Sequence, residues 1–382
     1  MAFNIIIGGD LVPTKSNYSL FEEANVDSLV GEEILNILKK SDFSIFNLEV
    51  PLTDALNPIE KCGPNLAAPT STLAGINKLN PRFFTLANNH ILDQGNYGLF
   101  STIKLLDKYD IAYAGAGKNI KEASKPYIYE SQGCKVGIYC CAEHEFSIAT
   151  NNEPGANPFD PFESLDEISS LKHECDYVIV LYHGGKEHYR YPSPYLQKVC
   201  RKIIEKGADI VVCQHSHCIG CKEEWKNGTI IYGQGNFLFD NSENEFWQTS
   251  LLIELSFSQN KSKPTIDFHP LKKDGNKVRL AVGFEKEDIL NNFYNRSEDI
   301  KLNGFIEKQY MLFAEKMRIS YLRTFTGCIS SNFIFRVINK LSCGSFQKLF
   351  IKTIYKNKNF LALQNYIECE AHRELLVRGL KK

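Results

Sequence analysis

The stretch Asp209-Ile-Val-Val-Cys-Gln-His-Ser-His217 decides the fold class of this 382-residue chain. Ile210, Val211 and Val212 form a short unbroken apolar run, the pattern of a parallel strand covered on both faces. The run stops abruptly at two histidines one residue apart. Open α/β folds gather their ligands just beyond the carboxyl ends of the strands, which is where His215 and His217 fall. If the backbone stays extended, residues i and i+2 point to one side, and both imidazoles aim at a single point. Two convergent neutral imidazoles suit a first-row transition metal such as Zn, Mn or Fe.

The same arrangement recurs along the chain. Residues 3–7 read as a strand ending in Gly8-Gly9-Asp10, and 42–46 as one that delivers Asn47-Leu48-Glu49. Residues 82–86 precede Ala87-Asn88-Asn89-His90, with Asp93 close behind, and 177–181 run into Tyr182-His183-Gly184. Five strand ends thus deliver Asp10, Glu49, Asn89 with His90, His183, and the pair His215 and His217. Carboxylate, amide oxygen and imidazole make a ligand set for a two-metal centre. A histidine left unligated beside such a set is a candidate proton donor. His188 lies further out and reads as a substrate-side or surface residue.

The intervening segments complete an α/β pattern. Helices are expected over 26–40, 98–109, 162–173 and 195–207, from their apolar spacing. Pro-containing loops cover 53–70 and 150–162, the second a candidate lid. Gln132-Gly133 and Asn227-Gly228 read as hairpin turns. Residues 248–257, 265–269 and 278–282 alternate like antiparallel strands. One domain is therefore expected over 1–285, followed by a mostly helical extension over 286–382.

Composition narrows the function. Lys plus Arg (44) balance Asp plus Glu (45), so no global field draws the chain to nucleic acid or an anionic membrane. The stretch 340–382 is locally basic, the pattern of a solvated helix face or of a surface for an anionic partner. Twelve cysteines without a paired zinc-type framework suggest a reducing compartment. No run is long enough to span a bilayer and no basic leader precedes the first apolar run, so a cytoplasmic location is expected. The absence of a Gly-rich phosphate loop ending in Lys-Ser/Thr counts against a P-loop ligase.

The quoted residues, in their order, carry a resemblance. Gly9-Asp10, Asn47-Leu48-Glu49, Asn88-Asn89-His90 with Asp93, His183-Gly184, His215-Ser216-His217 and Gly235-Asn236-Phe237 together resemble the CapA, or poly-γ-glutamate capsule-synthesis, family. That family is similar to the calcineurin-like metallophosphoesterases. The resemblance implies an αββα sandwich of two mixed sheets, where the residues alone give only α/β. It implies that Glu49 bridges two ions, where the wider superfamily has aspartate. Asn89, His183 and His215 would complete one ion position, and Asp10 and His217 would serve the other. His90 would be the general acid, oriented by Asp93.

One departure from the superfamily stands out. Its first motif reads Asp-x-His, but this chain has Asp10-Leu11-Val12, and valine cannot ligate. A one-ion enzyme, a two-ion enzyme with additional waters and a binding relic all stay open. The expected function is a metal-dependent hydrolase of phosphoester or γ-glutamyl amide bonds in capsule or surface-polymer synthesis, using one or two Mn, Fe or Zn ions. The alternative is a non-catalytic assembly protein with a partial metal site. Expected partners are an anionic polymer or phosphorylated small molecule, together with capsule-synthesis proteins.

Overall fold

The computed structural model describes residues 2–239, 243–258, 263–326 and 333–380. The apolar runs become strands in chain order, beginning with β1 (Ala2–Leu11), β2 (Phe43–Leu48), β3 (Phe83–Thr85) and β4 (Ala112–Ala114). They continue as β5 (Ala116–Gly117), β6 (Tyr127–Ser131), β7 (Cys134–Ala142), β8 (Gly155–Ala156), β9 (Tyr177–His183) and β10 (Ile210–Gln214). The last are β11 (Lys222–Trp225), β12 (Gly228–Ile231), β13 (Asn236–Leu238), β14 (Thr249–Ser258), β15 (Thr265–Asp274) and β16 (Lys277–Leu280).

Two mixed sheets result. The first runs β16-β15-β14-β1-β2-β3-β4, with β13 also paired to β1, and the second runs β11-β12-β10-β9-β7-β6. Strands β1 to β4 are mutually parallel, as are β7, β9, β10 and β12. The three terminal strands of the first sheet are antiparallel, as their alternating sequence predicts.

Side-chain alternation sets the layers. Along β1, Ile5 and Ile7 enter a core between the sheets, while Ile6 faces the helices outside. Along β10, Ile210 and Val212 enter that same core, and Val211 faces the opposite helical layer. Both faces of each central strand are therefore buried, which is why these strands read as unbroken apolar runs. The architecture is an αββα sandwich. Helix Pro194–Glu205 shows how the outer layers form: Leu196, Val199, Cys200, Ile203 and Ile204 are buried. Its start is fixed by Pro194 in the first turn and by Ser193, whose hydroxyl accepts from the Leu196 N–H at 3.0 Å.

Three local expectations are corrected. The helix expected over 26–40 is a turn of 3-10 helix, Val26–Ser28, followed by Glu32–Lys40. Gly31 is extended between them, and its N–H donates to the Val278 carbonyl at 2.8 Å, so the edge of β16 captures the backbone. The β11–β12 hairpin forms, but Trp225 pairs with Gly228, placing Lys226 (φ +50°) and Asn227 in the turn. Gly228 lies in the strand, where a Cβ would meet Ile204 Cδ1 at 2.5 Å. The 150–162 segment is no lid. Gly155 and Ala156 pair with β5, and the buried Asn157 side chain donates to the Cys140 carbonyl at 2.8 Å.

The chain divides into two compact units, Met1–Ile306 and Glu307–Lys382. The first runs past residue 285 because helix Gly283–Asp299 buries Ile289 and Phe293 with Ile219 and Leu251. The second contains helices Phe333–Leu341, Ser345–Ile354, Asn357–Glu368 and Glu370–Leu380. Phe335 anchors a small aromatic cluster there, 5.4 Å from both Phe346 and Phe350. Among the described residues, no helix is long and apolar enough to cross a membrane.

The tightest backbone approach in the first unit lies one residue before Asp10. A Cβ on Gly9 would stand 1.9 Å from the Gly235 carbonyl oxygen, so β1 and the segment leading into β13 require glycine there. Gly9→Ala is expected to destabilise the protein by about 3 kcal/mol through overpacking. Urea unfolding of the metal-free protein measures this, and an unchanged midpoint would refute it.

Candidate metal centre

The register of the two sheets explains why distant residues meet. In the first sheet Asp10 lies opposite Asn47 on one side and Asn236 on the other. In the second, His183 lies opposite Gln214 and Ala142. The first sheet supplies Asp10, Glu49 and Asn89 from the carboxyl ends of β1, β2 and β3. The second supplies His183, His215 and His217 from β9 and β10.

Two overlapping groups of ligand atoms form, Glu49 with His183 and His215, and Asp10 with Glu49 and His217; within each, the atoms lie within 4.8 Å of one another. Glu49 belongs to both. His183 Nε2 stands 3.3 Å from Glu49 Oε1 and 3.0 Å from the amide oxygen of Asn89, which joins Asn89 to the first group. His217 Nδ1 stands 3.3 Å from Asp10 Oδ2 and 2.8 Å from Asn236 Oδ1. A row of amides holds the carboxylate end: Asn88 donates to Asn47 at 3.1 Å, and Asn47 donates to Asp10 at 2.8 Å.

Burial dominates the electrostatics of these side chains. Both carboxylate oxygens of Glu49 are buried and lack a hydrogen-bond partner, as does His215 Nδ1. Burial, reinforced by the neighbouring Asp10 charge, pushes the Glu49 carboxyl up to about 8. Burial pulls His183 down to about 4 and His215 well below its usual range, so both imidazoles are neutral and can ligate. Burial also opposes charge on Asp10 and His217, but their mutual hydrogen bond and attraction outweigh it. Asp10 is held low and His217 is raised to about 9. Two orphaned oxygens facing neutral imidazoles are a fit for a divalent ion, and burial of such groups without one is costly.

The histidine pair converges by a different route from the one expected. β10 ends at Gln214, and both His215 (φ +84°) and His217 (φ +54°) occupy the left-handed region. The backbone turns at each residue, so the two rings do not share a strand face. Their centroids are 5.9 Å apart, and they serve the two sides of Glu49 instead of one point. Non-glycine residues held in this region mark a backbone constrained by its surroundings.

His90 and Asp93 lie together beside the cluster. His90 Nδ1 is 2.6 Å from Asp93 Oδ2, which also accepts from the Leu66 N–H at 2.6 Å. Lys61 forms an ion pair with the other oxygen of Asp93 and is itself buried. His90 Nδ1 is thus engaged by Asp93, with Lys61 Nζ 3.3 Å from the same nitrogen, and Nε2 is the ring nitrogen left for the cleft that His90 lines. His188 stands outside the cluster, accepting from Trp247 Nε1 at 3.0 Å.

Sequence reasoning missed Glu145 and Lys61. Glu145 accepts from Asn89 Nδ2 at 3.2 Å and lies 3.9 Å from His215 Nε2. It orients the Asn89 amide so that its oxygen faces His183. The signal was available, since Glu145 follows the apolar run of β7 as the other site residues follow theirs. Lys61 sits in the 53–70 loop with no periodicity to mark it. Val12 is buried and lines the cleft beside His217, supplying no ligand atom.

Residues 4–241 match the family described as bacterial capsule synthesis protein PGA_cap. The capsule biosynthesis protein CapA of Bacillus anthracis is 33% identical over 213 residues, covering 53% of this chain and 52% of that protein, so the match spans about half of that relative's length. The PGA biosynthesis protein CapA of Bacillus subtilis is 27% identical over 314 residues, covering 78% of this chain and 81% of that protein. A crystal structure of a phosphatase from Mycoplasma pneumoniae is similar with a TM-score of 0.47 and 14% identity, over 72% of this chain and 95% of that one.

Proposed function

The chain belongs to the bacterial capsule synthesis protein PGA_cap family, and we propose that it is a metal-dependent hydrolase of phosphoester or γ-glutamyl amide bonds in surface-polymer biosynthesis. The observation that carries this reading is Glu49, whose two buried oxygens have no hydrogen-bond partner and which is shared by two ligand groups. Asn89, His183 and His215 would hold one divalent ion with Glu49, and Asp10 and His217 the other. Such ions supply Lewis acidity toward a reacting oxyanion. The residues themselves do the rest. As the doubly protonated ring, His90 would give its Nε2 proton to the leaving group and be left neutral with Nδ1–H still held by Asp93. Lys61 and the Leu66 N–H hold Asp93 in place. Asn47 and Asn236 keep Asp10 and His217 oriented as ligands.

The purified protein is expected to hold about two equivalents of Mn, Fe or Zn by elemental analysis. The His215→Ala/His217→Ala protein, which removes a ligand from each group, is expected to hold none. Absence of metal after loading with each ion in turn would overturn the hydrolase reading.

Val12 favours a second reading, a non-catalytic assembly protein with one structural ion, because among the described residues the Asp10 side gathers three ligand residues and the other side gathers four with Asn89. That reading predicts one equivalent and normal polymer output in cells carrying metal-site substitutions, with output lost only when the protein is absent. Loss of output on substitution of Glu49 in a stably folded protein would exclude it.

A further inference from the structure

We propose that the cleft beside the metal cluster takes an uncharged, largely apolar group, aryl or alkyl, attached to a single oxyanion, in preference to the repeating charge of a polyanion. This rests on the hydrolase reading above and narrows its substrate class. The cleft has a volume of about 1050 Å³, and His90 and His217 are among the residues that line it. Val12 and Pro13 line it together with Leu56, Pro58, Pro64 and Leu66 of the 53–69 loop. Leu56 is 74% exposed, an apolar side chain left in water beside an open cleft.

An aromatic pair packs against the candidate ligand His217. Phe239 and Trp247 have ring centroids 4.7 Å apart, and they lie 5.4 Å and 5.1 Å from the His217 ring. A group attached to an oxyanion at the cluster would meet these faces next. Aromatic surfaces favour a flat or aliphatic group with little charge of its own.

The charges point the same way. Among the described lining residues, Lys15 is the one Lys or Arg, set against Asp54 and Glu187. Lys15 is exposed, where water and salt screen its field. Lys61, the cation nearest His90, is committed to Asp93. A chain with a carboxylate on every residue would place its charges against two acids and a row of prolines, and like charges in contact reject a partner. One oxyanion, by contrast, would be neutralised at the cluster. Val12 therefore has a role beyond the loss of a ligand, because it adds to the apolar lining beside Pro13.

The test uses Trp247 as its own reporter. The chain has two tryptophans, so Trp225→Phe leaves Trp247 alone in a full-length, zinc-loaded protein. Its emission is titrated with phenylphosphonate, inorganic phosphate and a γ-glutamate oligomer at low and high salt. Phenylphosphonate is expected to bind roughly tenfold or more tightly than phosphate, from burial of one ring, with a change in Trp247 emission and little salt dependence. Leu66→Asp is expected to reduce that ratio. Equal affinities for phenylphosphonate and phosphate, or tighter and salt-sensitive binding of the oligomer, would overturn the inference and leave the metal reading standing. Failure of every oxyanion to bind the loaded protein would overturn the hydrolase reading and this inference with it.

Discussion

Glu49→Gln is expected to lose both metal equivalents, and with them at least about a thousandfold in turnover, while the metal-free protein becomes more stable at alkaline pH. The first part follows from geometry. Glu49 is the one residue common to both ligand groups, so removing its charge weakens each position at once. An amide of nearly the same volume keeps the packing, so the loss is not a cavity effect. Metal-ion stabilisation of a reacting oxyanion is worth several kcal/mol, which sets the scale of the rate loss.

The second part follows from burial. In the metal-free protein the Glu49 carboxyl titrates at about 8 instead of 4.5. Between those values the unfolded chain has released its proton and the folded one has kept it. The folded state then binds more protons, so stability falls as pH rises, by about 1.4 kcal/mol per unit across that window. Glutamine has no proton to lose and removes this contribution to the slope. Chemical denaturation of both metal-free proteins at pH 5, 6.5 and 8 measures the difference. Equal slopes would show that Glu49 has another partner, and retained metal would show that it is not shared.

How much of this was legible in the sequence depends on what each residue's position owes to its neighbours. Asp10, Glu49, Asn89 and His183 follow strands buried on both faces, and such strands are unbroken apolar runs with visible ends. Their convergence follows from parallel register, which alignment of strand ends approximates. What lies beyond a strand end is set by contacts from elsewhere. His215 and His217 adopt positive φ in a turn that local pattern does not announce. Lys61 is placed by Asp93, thirty-two positions away. Gly31 is pulled out of its helix by Val278. Gly228 reads as a turn glycine, yet it pairs with Trp225 in a strand, where Ile204 leaves no room for a Cβ. In each case a long-range contact overrides a sound local rule. The αββα layering was supplied by the resemblance, since periodicity alone does not distinguish two packed sheets from one.

His90→Ala is expected to keep its metal and lose roughly a hundredfold to ten-thousandfold in kcat, the range for removal of a positioned proton donor. His90 belongs to neither ligand group, and its Nδ1 is engaged by Asp93. Elemental analysis should therefore match the wild type, which separates this variant from Glu49→Gln. A general acid also has a signature that a ligand or a packing residue lacks. Its absence matters most when the leaving group is a poor one, because an alkoxide needs the proton and a nitrophenolate does not. The variant should lose far more activity on an alkyl phosphoester than on the p-nitrophenyl ester of the same phosphoryl group. Added imidazole, small enough for a cleft of about 1050 Å³, should restore part of the rate on the alkyl ester. Equal losses on both esters with full metal content would assign His90 to substrate positioning. Loss of metal would move it into the ligand set, and the short contact to Asp93 would then be an outer support for a fourth imidazole at the cluster.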